Sequence, residues 1–243
     1  MEEALTPEQF REVWNAKPAL RAVYEDYYRR MRRWARPGVV VEVGAGSGNL
    51  KGAMPQVVAT DIVVVPWLDA VVDAHALPFA DASVGTVVGI DVLHHVQYPV
   101  RFLAEAERVL RPGGRVVLME PAITPVSRVV LGLGHPEPID LRADPLAEGD
   151  PDRDKHPMDS NQALPTLLAG RRHRPRLQQR LPGLHLVRSE HLSLAAYPLS
   201  GGFRPWNLAP ARLIGPLLRL EDRLTPVLGR LMGFRLLLVY ERR

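Results

Sequence analysis

The chain has 243 residues, 31 basic against 27 acidic side chains for a net charge of +4, and no cysteine. That length buries one substantial core, so one domain over 1–243 with an insertion is expected rather than two. Disulfides and thiolate metal sites are excluded, and no oxidising compartment is indicated. The start Met1-Glu2-Glu3-Ala4-Leu5 is acidic, unlike a secretory signal, and no apolar run approaches the roughly 20 residues of a membrane span. A cytoplasmic location is the expectation.

Thr6-Pro7-Glu8-Gln9 reads as an N-cap with proline at the first helical position. Helices are expected over most of 7–35, broken near Pro18, as an N-terminal cap. Phe10, Trp14, Tyr24, Tyr27, Tyr28 and Trp34 recur at near-helical spacing and read mainly as packing residues. Val39-Val40-Val41-Glu42-Val43-Gly44-Ala45-Gly46-Ser47-Gly48 then reads as a buried strand, an acid and a glycine turn opening a helix. Glycine leaves the backbone bare for a ligand, and a helix start adds unpaired N–H groups and a positive dipole end.

A dinucleotide fingerprint needs a third glycine where Asn49 stands, so that motif fails. Glu42 would repel a pyrophosphate and welcome an ammonium group, which points to a nucleoside carrying an amino acid. Val57–Asp61 is a second strand ending in an acid, where Rossmann-like sites hold ribose hydroxyls. About eight residues, Ile62 to Asp69, precede a third strand at Ala70–Ala74, too few for a crossover helix. A loop bent at Pro66 is expected instead. Asp73 can accept a hydrogen bond from an exocyclic amine while the Ala74 N–H donates to a ring nitrogen, a pair that reads the edge of adenine. A strand at Val84–Ile90, a helix at Pro99–Leu110, the stop Arg111-Pro112-Gly113-Gly114 and a strand at Arg115–Glu120 complete an alternating pattern that argues for a parallel α/β sheet.

The motif Glu-x-Gly-x-Gly-x-Gly, with Asp73, Leu77-Pro78-Phe79, Asp81-x-Ser83, Asp91-Val92-Leu93-His94-His95 and Leu110-Arg111-Pro112-Gly113-Gly114, resembles the class I S-adenosylmethionine-dependent methyltransferases. The likeness is to the large family that includes ubiquinone-pathway and many small-molecule enzymes, and it covers roughly residues 36–122. It implies a Rossmann-like α/β fold with a seven-stranded, mostly parallel sheet whose last strand is antiparallel, and S-adenosylmethionine as cofactor. By that resemblance Glu42, Gly44, Ala45, Gly46 and Gly48 hold the methionine part. Asp61 holds the ribose, Asp73 and Ala74 the adenine, Ile62 is a further cofactor-binding residue, and Asp91 lines the methionine end. An N-terminal helix closes over the cofactor in such enzymes, which makes Tyr24 and Tyr28, one turn apart, acceptor-pocket candidates.

Methyl transfer from a sulfonium mainly requires alignment of acceptor, methyl and sulfur. A base is needed only where the acceptor must lose a proton. His94 and His95 follow the fourth strand at the carboxyl edge, where ligands bind in such sheets. Histidine titrates near neutral pH, so His94 is the candidate base, with His95 at the acceptor pocket in a more structural role. No acid and amide constellation for a metal is identifiable.

After Pro121 the resemblance thins. Residues 123–190 hold an acceptor-side region, with a Pro- and Asp-rich loop at 132–160 of the length usually found functional or disordered. Arg171 to Arg180 is strongly basic. It reads as a solvated helix face, or as an RNA contact lacking aromatics for base stacking. Leu184–Ser189 and Phe234–Tyr240 read as the last two strands. Between them, 191–233 is a helical insertion with apolar Leu208, Leu213, Ile214, Leu217, Leu218, Leu220, Leu224, Val227, Leu228, Leu231 and Met232. It reads as a cap on the sheet, or as a partly exposed surface that admits a lipid-like acceptor or touches a membrane. The expected function is methyl transfer to a small organic, even apolar, acceptor. The alternatives are an RNA (tRNA) methyltransferase and a cofactor-binding partner without turnover.

Overall fold

The computed structural model describes residues 5–134, 137–152 and 154–243. The acidic start at residues 1–4 therefore lies outside the described residues. Helix α1 spans Pro7–Ala16 and α2 spans Pro18–Trp34. Thr6 caps α1 with a full capping box: its Oγ1 accepts from the Gln9 N–H, and the Gln9 side chain accepts from the Thr6 N–H. Pro18 removes a helical donor and disfavours helix at Lys17, which separates the two helices as the sequence predicts.

The sheet elements follow in order: β1 (Val39–Glu42), β2 (Val58–Asp61), β3 (Ala70–Val71), β4 (Val84–Ile90), helix α3 (Pro99–Val109) and β5 (Leu110–Pro121). Then come α4 (Pro125–Gly134), α5 (Leu164–Ala169), α6 (Arg174–Arg180), β6 (Leu184–Leu192), α7 (Ala196–Ser200), α8 (Ala211–Met232) and β7 (Arg235–Arg242). The seven strands form one sheet in the order β3-β2-β1-β4-β5-β7-β6. Neighbouring strands from β3 to β5 pair parallel, and β7 inserts antiparallel between β5 and β6. The seven-stranded Rossmann-like α/β reading holds, including its antiparallel last strand.

Each face of the sheet has its own core. On one, Phe102, Leu103 and Ala106 of α3 with Leu168 and Leu177 of α5 and α6 pack on Val41, Val87, Val116 and Leu238. On the other, Leu20, Val23, Tyr27 and Met31 of α2, with Ile214 of α8, pack on Val40, Val88, Val117 and Val239. Burial of each Val, Leu, Ile, Phe or Met among these stabilises by roughly 1.5–3 kcal/mol relative to exposure.

Two expectations need correction. The helix after the glycine turn is absent: only a 3₁₀ turn, Asn49–Gly52, stands there. About nine residues join Gly48 to Val58, fewer than a helical crossover takes. Trp67 closes the gap from the abbreviated 62–69 loop, its indole N–H donating to the Gly46 carbonyl at 2.8 Å. The third strand is also shorter than Ala70–Ala74, because Asp73 turns the chain by accepting from the His75 N–H.

Candidate active site

The carboxyl ends of β1, β2, β4 and β5 lie along one sheet edge, and the site is built there. At the tip of β1, Glu42 is buried, and its Oε2 has no hydrogen-bond partner among the described residues. Burial pushes its pKa up to about 8; Asp61 adds to the rise and Lys51 opposes it. A buried acceptor without a donor costs free energy, so this carboxylate fits a cationic group brought by a ligand.

The turn that follows holds Gly44, Gly46 and Gly48 at φ +64°, +47° and +71°. Gly44 is required twice over, since a Cβ there would lie 2.4 Å from Val92 Cγ2. At Gly46 a Cβ would meet nothing within 4 Å, so this backbone borders open space. No helix stands behind the turn, and the Ala45, Gly46 and Gly48 N–H groups already donate to the Thr60 carbonyl, Asp61 and the Ala45 carbonyl, so the turn offers close backbone approach rather than a dipole end.

Asp61 ends β2 beside that turn. Its two oxygens accept from the Gly46 N–H at 2.7 Å and the Val63 N–H at 3.0 Å, which fixes the carboxylate and leaves lone pairs for hydroxyl groups. Ile62 beside it is 55% exposed, an apolar flank toward solvent. Asp73 Oδ1 accepts from the His75 N–H and contacts His75 Nδ1, each at 2.8 Å, and Ala74 is half-buried. Arg108 of α3 donates to the Leu77 and Phe79 carbonyls, pinning the loop that carries Asp73 and Ala74.

Asp91 sits just past β4 with φ +54°. Its carboxylate is gripped by Arg235 and receives the Tyr24 hydroxyl at 3.0 Å. Burial raises its pKa, but the Arg235 charge outweighs this and the net shift is downward. Tyr24 is thus engaged with Asp91 and Arg235 rather than open to an acceptor. Tyr28 is buried against Tyr24 and Trp14, and Glu42 is among the charges acting on its hydroxyl.

The paired histidines part company. His94 is buried with Nδ1 2.8 Å from Glu120 and Nε2 3.3 Å from Glu137. Burial pulls its pKa down, but the two carboxylates outweigh burial and push it to about 10. An imidazolium at neutral pH has no lone pair to take a proton, so the geometry argues against His94 as the base. His95 differs: its Nδ1 is buried without a hydrogen-bond partner, and burial, aided by the charge on His94, lowers its pKa to about 4.

Sequence reasoning missed Glu120, Glu137, Arg235 and the clasp of the long loop. Asn161 donates its backbone N–H to the His94 carbonyl, and Lys155 Nζ reaches the His95 carbonyl at 3.0 Å. Ser160 and the Gln162 amide both donate to Glu137. Glu137 and the 155–162 stretch are therefore drawn over the carboxyl end of β4, while residues 135, 136 and 153 of the expected 132–160 loop lie outside the described residues and 132–134 belong to α4. The loop's length was the one signal. Among the described residues, His94, His95 and Glu137 also present ligand-type atoms within 4.8 Å of one another.

An apolar cavity of about 700 Å³ opens on the same sheet edge, where β5 runs into α4. It is lined by Ile123, Thr124, Pro125, Val129 and Leu133, with Arg128 as the charged group.

Comparison with known proteins bears on the domain and its fold. Residues 41–118 match the family model of the methyltransferase domain. The chain is 53% identical over 49 residues to an uncharacterized 37.1 kDa transposon protein of Streptomyces fradiae, and the alignment covers 20% of this chain and 14% of that one. It is 42% identical over 53 residues to 27-O-demethylrifamycin SV methyltransferase of Amycolatopsis mediterranei, covering 22% of this chain and 20% of that one. Both alignments thus span well under two thirds of these relatives. In fold, the chain is similar to a SAM dependent methyltransferase from Archaeoglobus fulgidus, with a TM-score of 0.52 at 13% identity over 91% of this chain and 93% of that one. The domain match and the strand order together support a class I S-adenosylmethionine-dependent methyltransferase domain over residues 41–118.

Proposed function

We propose that the chain transfers the methyl group of S-adenosylmethionine to a small, largely apolar organic acceptor. The observation that carries the donor half is the unpartnered buried carboxylate of Glu42 beside an open glycine turn. That carboxylate suits an α-ammonium, Asp61 suits ribose hydroxyls, and the pinned Asp73–Ala74 segment suits adenine. The sulfonium, when bound, supplies an already activated methyl group. The protein's work is then alignment and the exclusion of water.

For the acceptor, the support is the apolar cavity beside α4 on the same edge as the cradle. Short-range identity with 27-O-demethylrifamycin SV methyltransferase is compatible with a small-molecule acceptor. His95 is the residue suited to receive a proton, because its Nδ1 is neutral at physiological pH and unpartnered. A hydroxyl becomes a far stronger acid as it gains a methyl group, so a weak base suffices. His94, locked between Glu120 and Glu137, positions that turn and does not exchange the proton itself.

The test is calorimetry with S-adenosylmethionine, followed by transfer of a labelled methyl group to a panel of apolar hydroxylated compounds. Micromolar binding that Gly46→Arg and Asp61→Ala weaken is the expected result. Absence of heat with the wild-type chain overturns the reading.

A second reading rests on the His94, His95 and Glu137 cluster. Glu120 behind His94 Nδ1 supplies the outer carboxylate that commonly orients a metal-bound histidine. Calorimetric titration with zinc or manganese separates the two: stoichiometric binding lost in Glu137→Gln favours a cation there, and no binding removes the reading.

A further inference from the structure

Helix α8 is amphipathic in an unusual way. Its inner side is buried through Ile214, Glu221 and Gly229, and Glu221 Oε1 accepts the Ala195 and Ala196 N–H groups at the start of α7. Its outer side carries Leu213, Leu220, Leu224, Val227 and Leu231, which are 40–81% exposed. At about 100° per residue these five fall within roughly 40° of a single line along the helix. Arg212, Arg219, Arg223 and Arg230, all exposed, form a second row about 100° to one side of it. None of the four makes an ion pair with a described residue. The exposed acid of α8, Asp222, points the other way and is held by Arg30.

The surroundings extend this face. Helix α4 packs against α8 and adds Val129, Val130 and Leu133, the last 85% exposed. Trp206 and Leu208, 46% and 70% exposed, lie in the segment that leads into α8. A contiguous exposed apolar stripe, unlike scattered single apolar residues, marks an interaction site. Among the described residues no helix is long and apolar enough to cross a membrane. An apolar stripe beside an arginine row is the pattern of a helix that lies in the interface plane, with arginines reaching the headgroups.

We propose that α8, with α4 and the Trp206–Leu208 segment, docks this chain onto an anionic membrane surface. Charge decides for the membrane over a second copy of the chain. Antiparallel self-pairing on the leucine stripe would set the arginine row against its own copy. The opposite flank holds Leu217, Leu228 and the buried Glu221, so no exposed acid awaits the arginines in a parallel arrangement either. Phosphate headgroups neutralise all four. Both α4 and the end of α8 adjoin the carboxyl edge of the sheet, which would set the apolar cavity beside the lipid. The docking itself does not depend on methyl transfer.

The experiment is co-sedimentation of the full chain with vesicles of phosphatidylcholine alone or mixed with phosphatidylglycerol. Binding to the mixed vesicles, weakened by salt and much weaker on neutral ones, is expected. Each arginine removed in Arg219→Gln/Arg223→Gln should lower vesicle affinity about fivefold. Leu224→Gln/Val227→Gln should abolish binding while circular dichroism and S-adenosylhomocysteine binding stay unchanged. Failure to sediment with mixed vesicles at low salt overturns the proposal. So does a dimer that Leu224→Gln/Val227→Gln converts to a monomer without any vesicle binding. Binding that Arg171→Gln/Arg172→Gln removes and the α8 changes leave intact overturns it equally.

Discussion

Arg235, the first residue of β7, grips Asp91 just past β4, with Nη2 2.8 Å from Oδ2 and Nη1 on the other oxygen. The pair ties the C-terminal strand to the edge that carries the glycine turn. Its guanidinium lies over the Tyr197 ring at 4.2 Å and donates to the Tyr24 hydroxyl, so α2 and α7 are fastened to the same point. Arg235→Met leaves a carboxylate without its partner in a largely enclosed place. A loss of about 3 kcal/mol in urea unfolding is expected, short of the upper range because Asp91 keeps some contact with solvent. The double change Arg235→Met/Asp91→Asn should recover much of it, and a double-mutant cycle measures the coupling. Simple additivity of the two changes would contradict a direct pair.

The Glu42 carboxyl is the pH-sensitive part of the cradle. Burial pushes its folded pKa up to about 8, whereas unfolded it titrates near 4.5. Between those values folding takes up a proton, so its contribution to stability falls as pH rises from about 4.5 toward 8. Glu42→Gln should flatten that part of the stability profile. Binding an ammonium group favours the ionised form, so S-adenosylmethionine binding at pH 6.5 should release a proton. Calorimetry in two buffers of different ionisation enthalpy reads that release directly, and Glu42→Gln should abolish it and weaken binding at least tenfold. Identical heats in both buffers for the wild-type chain would refute the assignment.

Gly44 and Gly46 separate fold from ligand. Alanine at either must adopt a left-handed backbone at about 1–2 kcal/mol. Only at Gly44 does the new methyl also strike a neighbour, Val92. Gly44→Ala should therefore unfold several degrees lower than Gly46→Ala in a thermal melt. Gly46→Ala should fold and yet bind S-adenosylhomocysteine at least tenfold more weakly, because its Cβ enters open space that the ligand needs. Equal melting points for the two variants would show that the Val92 contact does not matter.

What could be read beforehand follows from how local each signal is. Thr6-Pro7 with Gln9, the valine runs and Arg111-Pro112-Gly113-Gly114 act within a few residues, and α1, β1, β4 and the end of α3 lie where they point. The family pattern added the antiparallel last strand, which no local signal carries. The helix expected after Gly48 is absent because 49–57, like the 62–69 loop, is too short for a helical crossover. Arg235, Glu120 and Glu137 were invisible because their partners lie 144, 26 and 43 positions away in the chain, and an arginine or glutamate at a strand end or in a loop has no periodicity of its own. The α8 stripe was visible as spacing, but which side faced the sheet depended on α2 and Glu221.

His94 and His95 differ in protonation, and that difference can be measured. His94 has a folded pKa near 10 against 6.5 unfolded, so the stability it lends is complete below about pH 6.5 and disappears as pH rises through 10. His94→Gln should remove that alkaline slope and lower stability, because Glu120 is fully buried and loses its cation. His95 has the opposite shift, to about 4, and stays neutral over the working range. If it receives the acceptor's proton, kcat should be flat from pH 6 to 8 and fall only as pH approaches 4. His95→Phe should cut kcat by about 10²-fold or more with donor affinity unchanged. His94→Gln, measured under conditions where it is folded, should retain most of that activity. A kcat that climbs through pH 8 to 10, together with loss of turnover in His94→Gln and not in His95→Phe, would return the proton transfer to His94.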